Sequence, residues 1–276
     1  MDRRRARAAV LAFVLGGSAV AATGDPPLRA MAWAARDADP ARAFGTTPTE
    51  CLASPTTPQV EIGRAAFRTP VVLGGQAARA GLSCEACHRA GRGNPDFKFP
   101  GISSAPGTAD VTSALFSTER GDGKHDPVPI PDLSGPKAKL KVVDGKLAPF
   151  IHGLVVEEFN GPEPPEAVLA GLVAYVRALD PAHCPQGAVQ PLTVALLMDD
   201  ARRAVRAAEE RLAAGDLASA LVMVASARAR LGLIDERYAG PELAPSRERL
   251  RAADRALGAS QQAIRERRSD AALGLV

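Results

Sequence analysis

Residues 84–88 read Cys-Glu-Ala-Cys-His, and this pentapeptide constrains the chain more than any other stretch of its 276 residues. Two cysteines three positions apart lie about one helical turn from each other, so both sulfurs leave the same side of a helix. The next residue adds an imidazole beside them. Cys-x-x-Cys-His is the spacing at which two thiols bond the vinyl groups of a haem while the histidine ligates its iron. The expected cofactor is one iron-containing haem c, held by Cys84, Cys87 and His88. Other chemistries also use paired cysteines. A thioredoxin-like redox pair needs a surrounding βαβ pattern, and a zinc site needs a second Cys/His pair at finger-like spacing; the sequence around residues 84–88 offers neither.

The N-terminus says where such chemistry would take place. Arg3, Arg4, Arg5 and Arg7 form a positive segment, Ala8 to Leu15 an apolar one, and Ala19-Val20-Ala21 a small-residue cleavage site, the pattern of a secretory signal peptide over residues 1–22. The apolar run is shorter than the roughly 20 residues that cross a bilayer, so no stable membrane span is expected once the leader is removed. The expected compartment is the periplasm. The formal charge of +3 includes the leader's arginines; the remainder is near neutral and carries no basic excess that would favour nucleic acid.

Cys51 and Cys184 are left over from the motif and sit near the two ends of the central segment. In an oxidising compartment they most simply pair. Such a bridge closes a long loop and is worth on the order of 4 kcal/mol in the chain-entropy account.

Composition and periodicity divide the chain into four segments. Residues 23–59 read as an irregular N-terminal arm, with Trp33 as a surface anchor. Residues 60–185 form the expected haem domain. It opens with a helix through Ile62, Ala65, Ala66 and Phe67 that Pro70 stops, and continues to the haem helix with Ser83 as its cap. Residues 89–136 are dense in Gly, Pro and Asp and predict long loops, which are uncommon unless they wrap something. Asp144-Gly145 between Lys139–Val143 and Lys146–Phe150 predicts a small β-hairpin. Its lysines (Lys137, Lys139, Lys141, Lys146) suit either an edge ribbon or a docking face for an acidic redox partner. A helix from Pro164 to Leu179 closes the domain, suited to pack across the haem helix. Residues 191–276 predict three helices over 192–214, 216–231 and 245–268. Asp216 is an N-cap, Gly232 a C-cap, and the mixed charges form a solvated outer face. The fold class is mainly α: a cytochrome c-like haem domain with long loops and a small hairpin, then a helical hairpin or three-helix domain.

Five landmarks between about residues 60 and 180 carry a family resemblance. They are Glu61-Ile62-Gly63-Arg64-Ala65-Ala66-Phe67, Leu82-Ser83-Cys84-Glu85-Ala86-Cys87-His88, Leu147-Ala148-Pro149-Phe150-Ile151-His152-Gly153, Val155-Val156-Glu157-Glu158-Phe159-Asn160-Gly161, and Leu172 to Leu179. In this order they resemble one haem domain of the bacterial di-haem cytochrome c peroxidase and MauG family. The resemblance implies that Phe150 and His152 border the haem pocket and that the last helix closes the fold. This chain has one Cys-x-x-Cys-His where the family has two, and Gly153 follows His152 directly where the family has Asp. Peroxidases of the family use the second haem as an electron relay, so the pattern implies a single-haem relative.

The other axial position of the iron has two candidates within the domain. No methionine lies between Met31 and Met198, so His152 comes first and His125, in a Gly-Asp-rich loop, second. Met198 and Met223 read as helix packing. The function expected from these residues is electron transfer to or from a protein partner, with the helical segment mediating dimer or partner contact. A peroxidase-like enzyme, with Glu157, Glu158 or His152 as acid or base, and a haem-based redox sensor or interaction module are the alternatives.

Overall fold

The computed structural model describes residues 30–272 apart from 113–114, 118–120, 136–141, 143–144 and 185–187, and the chain is mainly helical. The leader, Lys137, Lys139, Lys141 and most of the first strand of the expected hairpin lie outside the described residues. Helices α1 (Pro40–Gly45), α2 (Pro58–Phe67), α3 (Gly75–Arg79) and α4 (Cys84–Cys87) come first, with strand β1 (Thr46–Pro48) between α1 and α2. Two-residue strands β2 (Thr108–Ala109) and β3 (Val128–Pro129) come next, then α5 (Leu147–Gly153), a π turn over Leu154–Glu158, and α6 (Glu166–Ala178). Strand β4 (Val189–Pro191) leads into α7 (Val194–Ala213), α8 (Leu217–Arg237) and α9 (Ala244–Ala272).

Helix α2 begins where its sequence directs. Thr57 accepts the Val60 N–H as N-cap, and Pro58 occupies a first-turn position whose missing N–H costs nothing. Its partner is α6. A Cβ added at Gly63 would lie 1.9 Å from the carbonyl oxygen of Gly171, so the two helices touch backbone to backbone through paired glycines. One turn on, Phe67 and Tyr175 meet with ring centroids 4.9 Å apart. The closing helix therefore crosses α2. Its C-cap, Leu179, packs just beyond the motif, its methyl groups filling the space that a side chain at Gly91 would need.

The arm is more ordered than its composition suggests. Met31 N–H bonds the Gly81 carbonyl, Trp33 Nε1 donates to the Ala80 carbonyl at 2.8 Å, and the Trp33 ring packs at a tilt against Phe99. Strand β1 pairs antiparallel with β4, Thr46 opposite Pro191. Cys51 and Cys184 join beside this pair, with Cα atoms 4.9 Å apart, and Asp180 N–H bonds the Cys51 carbonyl. Start and exit of the central segment are thus clasped by a strand pair and a disulfide.

Three expectations change. The second strand of the Asp144-Gly145 hairpin is helix: Leu147–Phe150 opens α5, with Pro149 in a first turn that asks nothing of its missing N–H. The two-stranded ribbon of the region forms instead between β2 and β3, Thr108 opposite Pro129. Gly232 does not end α8, which continues to Arg237 with Gly232 buried inside it. The face of the last helices is also not uniformly solvated. Arg228 and Arg230 of α8 are buried, and Arg228 reaches Asp254 and Gln261 of α9 at 2.9 Å each.

Helices α7 and α8 form the expected antiparallel hairpin. Gly215 takes φ +77° and the Asp216 carboxylate caps α8 through the Ser219 N–H. Their apolar faces do not close on themselves. Ala204, Ala207, Ala208, Met223, Val224 and Ala227 belong to the same buried cluster as Ile62, Phe67, Leu172 and Tyr175, and Ser226 Oγ donates to the Ala65 carbonyl. Helix α8 is apolar and long enough to cross a membrane, but 67% of that stretch is buried within the protein.

Candidate functional site

The motif forms a single turn, α4, whose cap Ser83 makes no side-chain capping bond. Its last N–H, from His88, bonds the Cys84 carbonyl at 2.8 Å. The chain then reverses through two left-handed residues, Ala90 at φ +51° and Gly91 at φ +72°. Glu85 holds this reversal by accepting the Ala90 N–H at 3.1 Å, and Asn94 Nδ2 donates back to the Ala86 carbonyl. Positive φ at a non-glycine residue is uncommon and needs support of this kind.

The long loop returns to His88 and orients it. The Pro131 carbonyl lies 3.0 Å from His88 Nδ1. A carbonyl can only accept, so Nδ1 carries the proton and Nε2 is left as the lone-pair nitrogen. Pro131 is itself fastened on its C-terminal side. The Leu133 N–H bonds the Gly91 carbonyl at 3.1 Å, and the Asp132 carboxylate takes Arg92 Nε at 2.9 Å and both Ser134 N–H and Oγ. These bonds, with the Arg92 guanidinium, hold the Asp132 carboxyl below its ordinary range against the effect of burial. A histidine whose Nδ1–H is fixed by a carbonyl and whose Nε2 is free has the geometry of a metal-ligating imidazole.

Cys84, Cys87 and His88 sit together on the single turn of α4 and its C-cap. Solvent reaches part of each, yet surrounding protein pushes both thiols up to about 12 and the imidazole down to about 4. Thiols so raised are protonated at neutral pH and lack the thiolate character that disulfide-exchange chemistry requires. They remain separate from the Cys51–Cys184 bridge, so all four cysteines are accounted for without a second thiol pair for zinc. Phe67 borders His88 from α2, ring centroids 6.4 Å apart.

The candidates for the opposite axial position differ in their surroundings. His152 lies on α5 with Nε2 at 2.9 and 3.0 Å from the two carboxylate oxygens of exposed Glu163. Ligation by His152 would therefore need that contact released, or the ring turned to offer Nδ1. His125 is half-exposed with Nδ1 3.9 Å from Asp110. Phe150 stands exposed at 43% of its surface, while its neighbours Leu147 and Ile151 pack against the core. Met223 is wholly buried among the helices. Glu157 and Glu158 fall within the π turn, with Glu158 buried.

Behind α4 lies a charge network that no spacing in the sequence announces. Glu50, one residue before the bridged Cys51, bonds Arg68 at 2.9 Å and the Tyr175 hydroxyl at 2.7 Å and pairs with Arg64. Arg68 also meets Asp200 of α7 at 3.3 Å and Glu85 of α4 at 3.6 Å. Arg230 of α8 donates to the Arg68 carbonyl at 2.6 Å. Burial raises the Glu50 and Asp200 carboxyls, but Arg68 and its neighbours outweigh it and hold both below their ordinary range. Glu85 goes the other way, burial raising it more than Arg68 lowers it. These residues come from segments up to 180 positions apart, and the only early sign was the presence of charged residues inside otherwise apolar helical stretches.

No family model, no curated protein and no solved structure matches the chain.

Proposed function

We propose that this protein is a single-haem c-type cytochrome that passes electrons to or from a protein partner in the periplasm. The observation that carries the reading is the bond from His88 Nδ1 to the Pro131 carbonyl, on the same turn that presents two unpaired cysteines. Cys84 and Cys87 would hold the haem by thioether bonds, and His88 would offer Nε2 to its iron. Bound haem supplies a one-electron iron couple. The protein's own part is to fix and shield that couple. Pro131, from the long loop, sets the ring and tautomer of His88, and Phe67 backs the imidazole. The crossing of α2 and α6 at Gly63 and Gly171 supplies the rigid support behind it. No acid or base is required for such a role, and the last three helices are the segment proposed to contact a partner or a second copy.

Production with a covalent haem-attachment system tests this. The expected product carries one haem that survives acid–acetone extraction, and a Cys84→Ala, Cys87→Ala variant carries none. His88→Ala is expected to keep the covalent haem but change its spin state. Haem removed by extraction from the parent protein would sink the reading.

A second reading, a peroxidase-like haem enzyme, draws on one observation: His152 is paired with a carboxylate, the kind of partner that orients an imidazole acid or base. It predicts rapid spectral change on adding peroxide, lost in His152→Ala. An electron carrier with both axial positions filled reacts slowly.

A further inference from the structure

Helix α4 has two sides, and the second faces a cavity that the haem reading leaves unused. Cys84, Cys87 and His88 are not among its lining residues; Ser83, Glu85 and Ala86 are. The cavity measures about 630 Å³, within the range of sites for small organic molecules. It is open to solvent and flanked by the arm on one side and by α7 and α8 on the other. Among the described residues seven arginines and five carboxylates line it.

The carboxylates are spoken for and several of the arginines are not. Glu50 and Asp200 are shared among Arg64, Arg68 and Arg203, and Asp96 is taken by Arg42, which lies outside the lining. Among the described residues Arg237 gives its side-chain hydrogen bond to a main-chain carbonyl, that of Phe44. Among the described residues Arg230 also hydrogen-bonds only a carbonyl, though Asp200 and Glu85 act on its charge from nearby; it is 6% exposed, and its Nε has no acceptor there. Arg206 stands exposed at the rim without a carboxylate partner among the described residues. A buried guanidinium with an unmet N–H is costly unless something accepts from it. The rest of the wall mixes hydroxyl and amide side chains with an apolar part that includes Trp33, Leu192, Leu196 and Leu233.

We propose that this cavity binds a small organic anion, a carboxylate or phosphate on an apolar body, with Arg206, Arg230 and Arg237 receiving the anionic group. A guanidinium fork meets either kind of anion through paired N–H bonds, and the leucines and Trp33 match an apolar remainder. Inorganic phosphate alone would leave most of the cavity unfilled. The inference does not rest on haem, because no residue of the motif's cysteine–histidine side takes part.

Calorimetric titration of the full-length protein at low ionic strength tests it, using benzoate, phenyl phosphate, inorganic phosphate and neutral benzyl alcohol as probes. One organic anion is expected to bind at one site, at least about tenfold tighter than inorganic phosphate or the alcohol. Arg237→Gln with Arg206→Gln is expected to weaken it about tenfold or more while leaving the thermal unfolding midpoint in place. Arg230→Lys, which keeps charge but loses the fork, separates guanidinium recognition from simple attraction and is expected to weaken binding. No heat from either organic anion overturns the proposal, as does equal binding of inorganic phosphate or unchanged affinity in the double variant.

Discussion

Replacing Asp132 by Ala removes the acceptor of three hydrogen bonds, from Arg92 Nε and from Ser134 N–H and Oγ, in the turn that carries Pro131. The expected cost is about 1 kcal/mol in urea unfolding, since the turn is partly exposed. If His88 ligates iron, a looser carbonyl also withdraws less proton density from Nδ1, weakens the imidazole as a donor and moves the reduction potential upward. An unchanged potential in Asp132→Ala would show that Leu133 and Gly91 hold the carbonyl without it. Glu50 poses a different question, because its carboxylate is buried among two arginines and a tyrosine. Glu50→Gln leaves Arg64 and Arg68 short of their partner and is expected to cost about 3 kcal/mol at neutral pH. The folded-state value of Glu50 lies below the ordinary 4.5, so the unfolded chain binds the proton more tightly. The stabilisation is then complete above the unfolded value and lost as pH falls through the folded one. Parent and variant curves should converge below about pH 4.5; a gap of constant size down to pH 3 would mean that the hydroxyl and amide geometry matters more than charge. Neither residue could be found from local pattern. Asp132 is one of many acids in a loop-rich stretch, and Glu50 acquires its partners only when α2, α6 and α7 assemble around it.

At the scale of elements, helices were legible wherever apolar spacing coincided with a chemical stop. Asp216 began α8, and the extents of α6 and α7 fall within a few residues of their periodic runs, whereas the start of α2 at Thr57-Pro58 fell inside the stretch read as arm. The hairpin failed for a physical reason. Asp-Gly specifies a tight turn but not the conformation of the residues after it, and Leu-Ala-Pro-Phe-Ile-His can open a helix because Pro149 falls where no N–H is used. Gly232 misled in the converse way: a glycine near a periodic boundary marks a C-cap only if the chain leaves the helix there, and here it is buried against neighbours. The pairing of α2 with α6 rests on glycines whose role is visible only in three dimensions. Gly63→Ala places a methyl group against backbone 1.9 Å away, which no rotamer can relieve. The helices must separate, at an expected cost of about 3 kcal/mol. Gly45→Ala, at a glycine with open space around it, is the control and should change the unfolding midpoint little. Equal effects of the two substitutions would contradict the close crossing.

For the molecule as a whole, the composition change near Pro191 invites division into a haem segment and an appended helical one, and the interior argues that they fold together. The helix hairpin contributes Ala204, Ala207, Ala208, Met223, Val224 and Ala227 to the cluster that also holds Ile62 and Phe67. Its polar groups do the same: Asp200 pairs with Arg68, and Ser226 and Arg230 satisfy the carbonyls of Ala65 and Arg68 at the end of α2. Alanine-rich faces and arginines gave little warning of this, because alanine suits a surface as well as a core and an arginine on a helix is ordinarily solvated. A chain ending at Pro191 would expose that apolar face and leave Arg68 with Glu50 and Glu85 but without Asp200. Its expected behaviour is loss of a cooperative thermal transition, measured by far-ultraviolet circular dichroism, with the Cys51–Cys184 bridge intact in both proteins so that it cannot explain the difference. A truncated chain that melts cooperatively within a few degrees of the parent would make the last three helices a separate unit, and the arginine-lined cavity, which needs α7 and α8, would then be the place to look for what joins them.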